Sequence, residues 1–362
     1  MKCDYFDAGV CRSCALLETP YPVQLREKQA RLASLLPEVT WEEAVPSAES
    51  GFRNKAKMVV GGVRGDVTLG ILGPDGYGVD LAGCGLHTAG IQAALPRLIT
   101  ELNAVGFTPY RVPDREGELK HLILTEAPSG EMMVRFVLRT PSEIPLIDRT
   151  LASVVSVNLQ PEHKAILEGP TETVLTDRET LLMEVNGVGL HLRPQSFFQT
   201  NTEVAAALYR TAQRWIAELD IASIWDLYCG VGGFGLHLAA PGRAVIGVEV
   251  SEQAIESAKQ TAAELRLAAT SWRTGDATAY ALAAPFDPDL VVVNPPRRGI
   301  GADLATWLER STVRYVLYSS CNAESLARDL ALMPSLRPLR ARLLDMFPHT
   351  THHEVAMLLQ RA

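Results

Sequence analysis

Apolar and polar residues alternate over 55–60, 132–138, 154–159 and 189–192, the period of two that a half-buried strand requires. A polar helical stretch over 24–36 precedes these runs. A second helix is predicted over 96–105, opening on Pro96, a residue suited to a first helical turn. After Asn201 the period changes. Val204, Leu208, Trp215 and Leu219 fall on one helical face, with Thr200 or Asn201 as the cap. Beyond this helix, strand-like runs at 223–228, 243–249, 290–294 and 313–319 alternate with helical stretches such as 252–267. Such alternation predicts βαβ units and a doubly wound, mainly parallel sheet. The tail adds two more strands, 340–345 and 354–359, read as an antiparallel hairpin at the sheet edge. The expected fold is α/β in three parts: an N-terminal cysteine-rich segment (1–51), a central α+β domain (52–194) and a Rossmann-like domain (195–362).

Composition supports two cores and narrows the setting. Of 362 residues, 47% are hydrophobic and 21% charged, ample for ordinary globular packing. Lys and Arg number 34 against 42 Asp and Glu, a net charge of −8, so a polyanionic partner has to be met by a local basic patch. No apolar run approaches the roughly 18 residues of a membrane span, and no charged-then-apolar leader opens the chain. Six cysteines are too few for a disulfide scaffold. The expectation is a cytoplasmic protein with no membrane contact and no obligate protein partner.

The candidate chemistry clusters at strand ends. Asp226-Leu-Tyr228-Cys-Gly230-Val-Gly232-Gly233-Phe-Gly235 stands where the first strand of the α/β unit turns into a helix, and Glu249 ends the next strand. Glycines there let the backbone close on a ligand, and an acidic residue at the second strand end can accept hydrogen bonds from ribose hydroxyls, so an adenosine-containing cofactor is expected. Asn294-Pro-Pro-Arg297 ends a later strand at the same edge, where two prolines stiffen the backbone around the Asn294 amide. This Asn-Pro-Pro resembles the corresponding motif of S-adenosylmethionine-dependent methyltransferases. Cys321, in Tyr318-Ser-Ser-Cys321-Asn322, closes the next strand. Glu354, in Phe347-Pro-His-Thr-Thr-His352-His353-Glu354, supplies a carboxylate from the terminal hairpin. A thiolate, a carboxylate and a methyl donor suit methylation of a carbon that is not nucleophilic by itself. Separately, Cys3, Cys11, Cys14 and the distant Cys84 offer four soft thiolates, a donor set for either an iron-sulfur cluster or a structural zinc.

Across nearly the whole chain, Phe52-Arg-Asn-Lys-Ala-Lys-Met, Arg193-Pro-Gln-Ser-Phe-Phe-Gln199-Thr-Asn, the Gly-rich turn, Asn294-Pro-Pro-Arg-Arg-Gly, Ser319-Ser-Cys321-Asn322 and the terminal Phe-Pro-His-Thr-x-His-x-Glu appear in order. In this the sequence resembles the RNA uracil-C5 methyltransferases, and among them the bacterial enzymes acting on 23S rRNA. The resemblance implies a class I methyltransferase domain that uses S-adenosylmethionine to methylate C5 of a uridine in 23S rRNA. It implies Cys321 as the nucleophile adding to uracil C6 and Glu354 as the base taking the C5 proton. Gln199, Tyr228, Glu249, Asn294 and Asp276 would contact the cofactor, and Cys3, Cys11, Cys14 and Cys84 would hold a 4Fe-4S cluster. Two departures stand out: relatives often carry Asp where Asn294 stands, and proline follows their fourth cysteine where Gly85 stands here.

The central domain is expected to bind RNA, with Arg53, Lys55 and Lys57 alternating along one strand face as phosphate contacts, Arg297 and Arg298 at the cleft, and Phe197 and Phe198 as stacking platforms. Other readings are a tRNA uracil enzyme, methylation of another 23S rRNA uracil, methylation of an exocyclic amine, and an inactive iron-sulfur RNA-binding protein. The tRNA enzymes lack the cysteine quartet, and relatives acting on another 23S rRNA uracil usually begin with an extra β-barrel module. Amine methylation would leave Cys321 and Glu354 without a task.

Overall fold

The computed structural model describes residues 1–164 and 166–362. They form two compact units: Met1–Arg12, Glu49–Met183 and Arg193–Gln195 in the first, Ser13–Ala48, Glu184–Leu192 and Ser196–Ala362 in the second. The segment expected over 1–51 is thus shared between them, with Cys3, Cys11 and Cys84 in the first unit and Cys14 in the second.

In the first unit, strands β1 (Lys55–Val63), β2 (Asp66–Leu72), β3 (Gly78–Asp80), β4 (Leu119–Glu126), β5 (Met132–Leu138), β6 (Val154–Leu159) and β7 (Thr171–Val174) make one sheet in the order β3-β2-β1-β4-β5-β6-β7. Neighbours are antiparallel except β5 and β6. Ala56, Met58 and Val60 point to one face, where they join Leu122, Leu124, Val134 and Phe136 in a core under the helix Ala89–Val105. The helix buries Ile91, Leu95, Leu98 and Leu102, one stripe at helical spacing. It starts well before Pro96, which lies inside it and not in its first turn as the sequence suggested. Burial of Ile91 and Leu95 on the same stripe carries the helix upstream, at the cost of one backbone donor.

In the second unit, β8 (Leu181–Val185) and β9 (Val188–Leu192) pair as a short ribbon, of which Glu184–Leu192 belong to this unit. The main sheet comprises β10 (Ser223–Leu227), β11 (Ala244–Glu249), β12 (Thr270–Thr274), β13 (Leu290–Val293), β14 (Tyr315–Ser320), β15 (Leu336–Leu344) and β16 (Glu354–Arg361), in the order β12-β11-β10-β13-β14-β16-β15. Five strands are parallel, and β16 runs antiparallel to both of its neighbours. The order reverses between β10 and β13, a switch point that opens a crevice at the carboxyl ends of these strands. The terminal hairpin forms at the edge, but its second strand lies inside: β16 inserts between β14 and β15. The reason is hydrophobic. β16 is buried along most of its length, whereas β15 is alternately exposed and carries Pro338 at a register shift, as an edge strand tolerates. Leu227, Val291, Val293, Val316, Val355 and Met357 form the core, and Leu32 of the helix Tyr21–Leu35 packs into it. Among the described residues, no helix is long and apolar enough to cross a membrane.

Candidate active site

The switch-point crevice is a cavity of about 570 Å³. Gln199, Tyr228, Glu249, Asp276, Asn294, Cys321 and Glu354 all line it, so the structure brings the expected cofactor and catalytic residues of this unit together. Its mouth carries Phe197, 70% exposed, while Phe198 is buried; only one of the two phenylalanines is available for stacking.

The cofactor side is built locally. After β10 the chain turns through Tyr228 (φ 64°) and Gly232 (φ 86°) into the helix Gly233–Leu238. A side chain at Gly233 would come within 2.4 Å of the Tyr209 hydroxyl, so packing allows none there. At Gly230 and Gly275, by contrast, an added Cβ would meet nothing within 4 Å. Both glycines line the cavity and leave their backbone open to a ligand. Asp226, fully buried beneath the turn, accepts from Gly235 N–H at 2.7 Å. Burial, with the Glu249 carboxylate nearby, pushes its carboxyl up to about 7. Glu249 accepts from Gly230 N–H at 3.3 Å and from Ser251 N–H at 3.1 Å, one bond to each oxygen, which leaves lone pairs for a diol. Asp276 caps the helix Ala277–Ala283 by accepting from Ala279 N–H at 2.8 Å. Tyr228 is half-buried, its phenol pushed up by that burial and bonded to Thr278.

The opposite side joins residues far apart in the chain. In the antiparallel ladder of β14 and β16, Ser319 faces Ala356 and Ser320 faces Val355, the last pair; Cys321 directly follows Ser320 and Glu354 directly precedes Val355. Glu354 is 2% exposed and accepts a short hydrogen bond from the Ser319 hydroxyl. Burial lifts its carboxyl to about 7. The Cys321 thiol is also pushed up, first by burial and then by the Glu354 carboxylate, while the Arg297 guanidinium, which hydrogen-bonds the sulfur, opposes the shift. Arg297 also contacts His352 Nδ1 at 3.1 Å, and its carbonyl accepts from Asn322 Nδ2 at 3.0 Å.

Two supports of this side were not read from the sequence. The helix Tyr21–Leu35 buries Gln24, Lys28 and Leu32 on one face. Lys28 Nζ donates to Asp345 Oδ1 at 2.6 Å, to the Phe347 carbonyl at 3.2 Å and to the His352 carbonyl at 3.0 Å. Every ammonium proton is used, and the loop that delivers Glu354 is gripped at both ends. Gln24 accepts from His349 N–H at 2.9 Å and donates to the Leu16 and Thr19 carbonyls. The second support is Asp329, which accepts from the Tyr318 hydroxyl at 2.6 Å and from Ile300 N–H at 2.9 Å, anchoring the loop that follows Asn294-Pro-Pro-Arg297. The available signal for the first was the spacing of Gln24, Lys28 and Leu32, one helical face that mixes two polar residues with one apolar residue.

The early cysteines lie outside this cavity. Cys3, Cys11 and Cys84 share the first unit, and the Cys84 thiol is raised by burial and by the proximity of Cys3 and Cys11. Among the described residues, however, no group of three or more Cys, His, Asp or Glu side chains is drawn together in an arrangement that could hold a metal ion. The expected cationic stripe is uneven. Lys57 is exposed, but Lys55 is half-buried, and that burial, with Lys57 and Arg135 close by, lowers its ammonium to about 8. Arg53 turns its Nε onto the Lys55 carbonyl at 3.1 Å.

Comparison with known proteins agrees with this architecture. A family model described as tRNA (Uracil-5-)-methyltransferase matches residues 174–362. The chain is 48% identical to proteins from Pectobacterium atrosepticum and Halothiobacillus neapolitanus, over 100% of this chain and of each relative; both are called 23S rRNA (uracil(747)-C(5))-methyltransferase RlmC. Among solved structures, the Pyrococcus abyssi tRNA (uracil-54, C5)-methyltransferase in complex with S-adenosyl-L-homocysteine superposes with a TM-score of 0.82 at 27% identity, covering 96% of this chain and 85% of that one. With the family model spanning just over half of the chain and full-length relatives at this identity, the chain belongs to the uracil-C5 RNA methyltransferase family.

Proposed function

We propose that this chain methylates C5 of a uridine in 23S rRNA, uracil 747 as in its full-length relatives, with S-adenosylmethionine as donor. One observation supports the reading: Cys321, which follows β14, and Glu354, which opens the adjacent β16, line the same cavity as the Gly-rich turn and Glu249. Uracil C5 is too weak a nucleophile to take a methyl group unaided. The Cys321 thiolate adds to C6, and the C5=C6 pair moves onto C5 and the C4 oxygen. S-adenosylmethionine supplies a methyl carbon made electrophilic by its sulfonium. The Glu354 carboxylate then takes the C5 proton; the C–H electron pair restores C5=C6, and the thiolate leaves. With its carboxyl at about 7, Glu354 is poised to accept a proton near neutral pH. Arg297 stabilises the thiolate both when it forms and when it departs.

Cofactor contacts fall to Gln199, Tyr228, Glu249, Asp276 and Asn294. An Asn at 294 brings an amide donor and no charge to the strand end, which suits orientation of the reacting groups over proton transfer. RNA is met by the first unit and by the exposed Phe197, and the enzyme works in the cytoplasm. Four thiolates, Cys3, Cys11, Cys14 and Cys84, hold a 4Fe-4S cluster in this reading. Its support is donor chemistry and the nearness of Cys84 to Cys3 and Cys11, and no step of the reaction runs through it. Iron and acid-labile sulfide analysis of anaerobically purified protein decides between this cluster and zinc.

The test of the activity is incubation with labelled S-adenosylmethionine and unmodified 23S rRNA or tRNA, followed by nucleoside analysis. The expected outcome is 5-methyluridine in 23S rRNA with the wild type and none with Cys321→Ala. Product from Cys321→Ala, or methylation at an exocyclic amine, overturns the nucleophile assignment.

A further inference from the structure

Cys321 also lines a second, smaller cavity of about 240 Å³. Cys321 and Arg297 belong to the walls of both. Apart from Ala323, the rest of the small cavity's lining is polar, with Arg31, Glu324, His352 and His353 carrying the ionisable groups. Two guanidiniums and two imidazoles therefore face one carboxylate. Arg31 is paired with Glu324 but is 63% exposed in its side chain, so its guanidinium is free to exchange partners. The helix Ala323–Ala331 starts here, capped by Asn322, whose Oδ1 accepts from Glu324 N–H, and its positive dipole end adds to the cationic side. His353 is only 8% exposed, and its Nε2 is buried without a hydrogen-bond partner among the described residues. None of this is needed to bind S-adenosylmethionine or to move the C5 proton.

Resting on the uridine-methylation reading, we propose that this cavity seats the phosphodiester next to the flipped target uridine, with Arg31 as its principal cation. Cys321 and Arg297 stand in the walls of both cavities, so a uridine held with C6 at the Cys321 sulfur has its own sugar-phosphate within reach of the smaller one. Phosphate contacts of this kind set register without reading sequence. Glu324 is the competitor: it holds Arg31 until the phosphate replaces it, which weakens the hold on RNA and eases release.

The experiment uses the full chain and a 23S rRNA fragment carrying unmodified uridine 747, with Arg31→Gln, Arg31→Lys and Glu324→Gln. Arg31→Gln is expected to raise KM for the RNA about tenfold and to flatten the plot of log affinity against log salt by about one phosphate contact. kcat, S-adenosylmethionine affinity and melting temperature are expected to stay at wild-type values. Arg31→Lys retains the slope, and Glu324→Gln tightens RNA binding. Replacing the linkage beside the uridine with a neutral methylphosphonate is expected to weaken the wild type to the level of Arg31→Gln, and to weaken Arg31→Gln no further. An unchanged salt slope for Arg31→Gln, or additive losses from variant and neutral linkage, overturns the proposal. Binding measurements stand even if no 5-methyluridine forms, so failure of the activity reading and failure of the phosphate seat are separable.

Discussion

The two sides of the cofactor cavity are made in different ways. On one side, Asp226, Tyr228, Gly230 and Glu249 come from two consecutive strands and the turn between them. On the other, Cys321 follows β14, Glu354 opens the last strand, and Lys28 and Gln24 hold the loop before Glu354 from the N-terminal helix, more than 300 residues away in sequence. The first side is a local motif whose backbone geometry needs little outside help. The second is an assembly: its reacting groups are placed by a buried ion pair and by carbonyls that a distant ammonium collects. Damage to the first should therefore weaken cofactor binding and spare the chemistry, and damage to the second should do the reverse.

The largest effect that would sharpen this contrast is expected from Glu354→Gln. Loss of the base should reduce turnover about 1,000-fold, leave S-adenosylmethionine affinity intact, and let a covalent RNA–protein adduct accumulate, visible by denaturing electrophoresis. Unchanged turnover would remove Glu354 from the mechanism. Next comes Lys28→Met. It strands Asp345, fully buried, without its cation, a loss of about 3–5 kcal/mol in stability by denaturant titration. It also releases the Phe347–His352 loop, for which a fall in kcat of about 100-fold is expected with cofactor affinity unchanged. Adding Asp345→Leu should recover the stability but not kcat, because the Phe347 and His352 carbonyls still lack their donor. Full recovery of kcat would reduce Lys28 to a stability element.

On the cofactor side, Glu249→Ala is expected to weaken S-adenosylmethionine binding about tenfold by calorimetry, with kcat at saturation preserved. A collapse of kcat there would erase the distinction between the two sides. The gentlest probe is pH. The Glu354 carboxyl rises from its ordinary 4.5 to about 7, so the fold disfavours its charged form. Its contribution to stability consequently falls as pH climbs from about 4.5 to about 7. Activity runs the other way, since the base must be ionised: kcat/KM should drop as pH falls through about 7. The Glu354→Gln protein should lose the activity trend, keep only the part of the stability trend that the buried Asp226 carboxyl contributes, and outlast the wild type on heating at pH 8.

Much of the second unit was legible because its signals are local. β13 and the helix after Asn201 were found almost to the residue, Asn201 being the cap with Oδ1 accepting from Val204 N–H at 3.3 Å. The Gly-rich turn and the strand-end residues announced the crevice, since a parallel sheet puts its ligands at carboxyl ends. In the first unit, β2, β3, β4 and β7 went unread. β4 is buried at nearly every position and shows no alternation, and β2 includes Gly70, whose missing side chain admits the backbone of β3 within 1.8 Å of an ideal Cβ. Lys55 looked like part of a solvated stripe until the fold half-buried it beside Arg135.

The sequence by itself determined the strand-helix alternation, the Gly-rich turn with Glu249, and the presence of a thiol and a carboxylate suited to C5 chemistry, because each depends on periodicity or on residue type at short range. Only the tertiary structure decided that β16 inserts beside β14, which brings Glu354 into one cavity with Cys321, and that Lys28 and Gln24 hold the loop before Glu354. Strand order and long-range polar pairs depend on which buried surfaces find each other, and no local pattern encodes that choice.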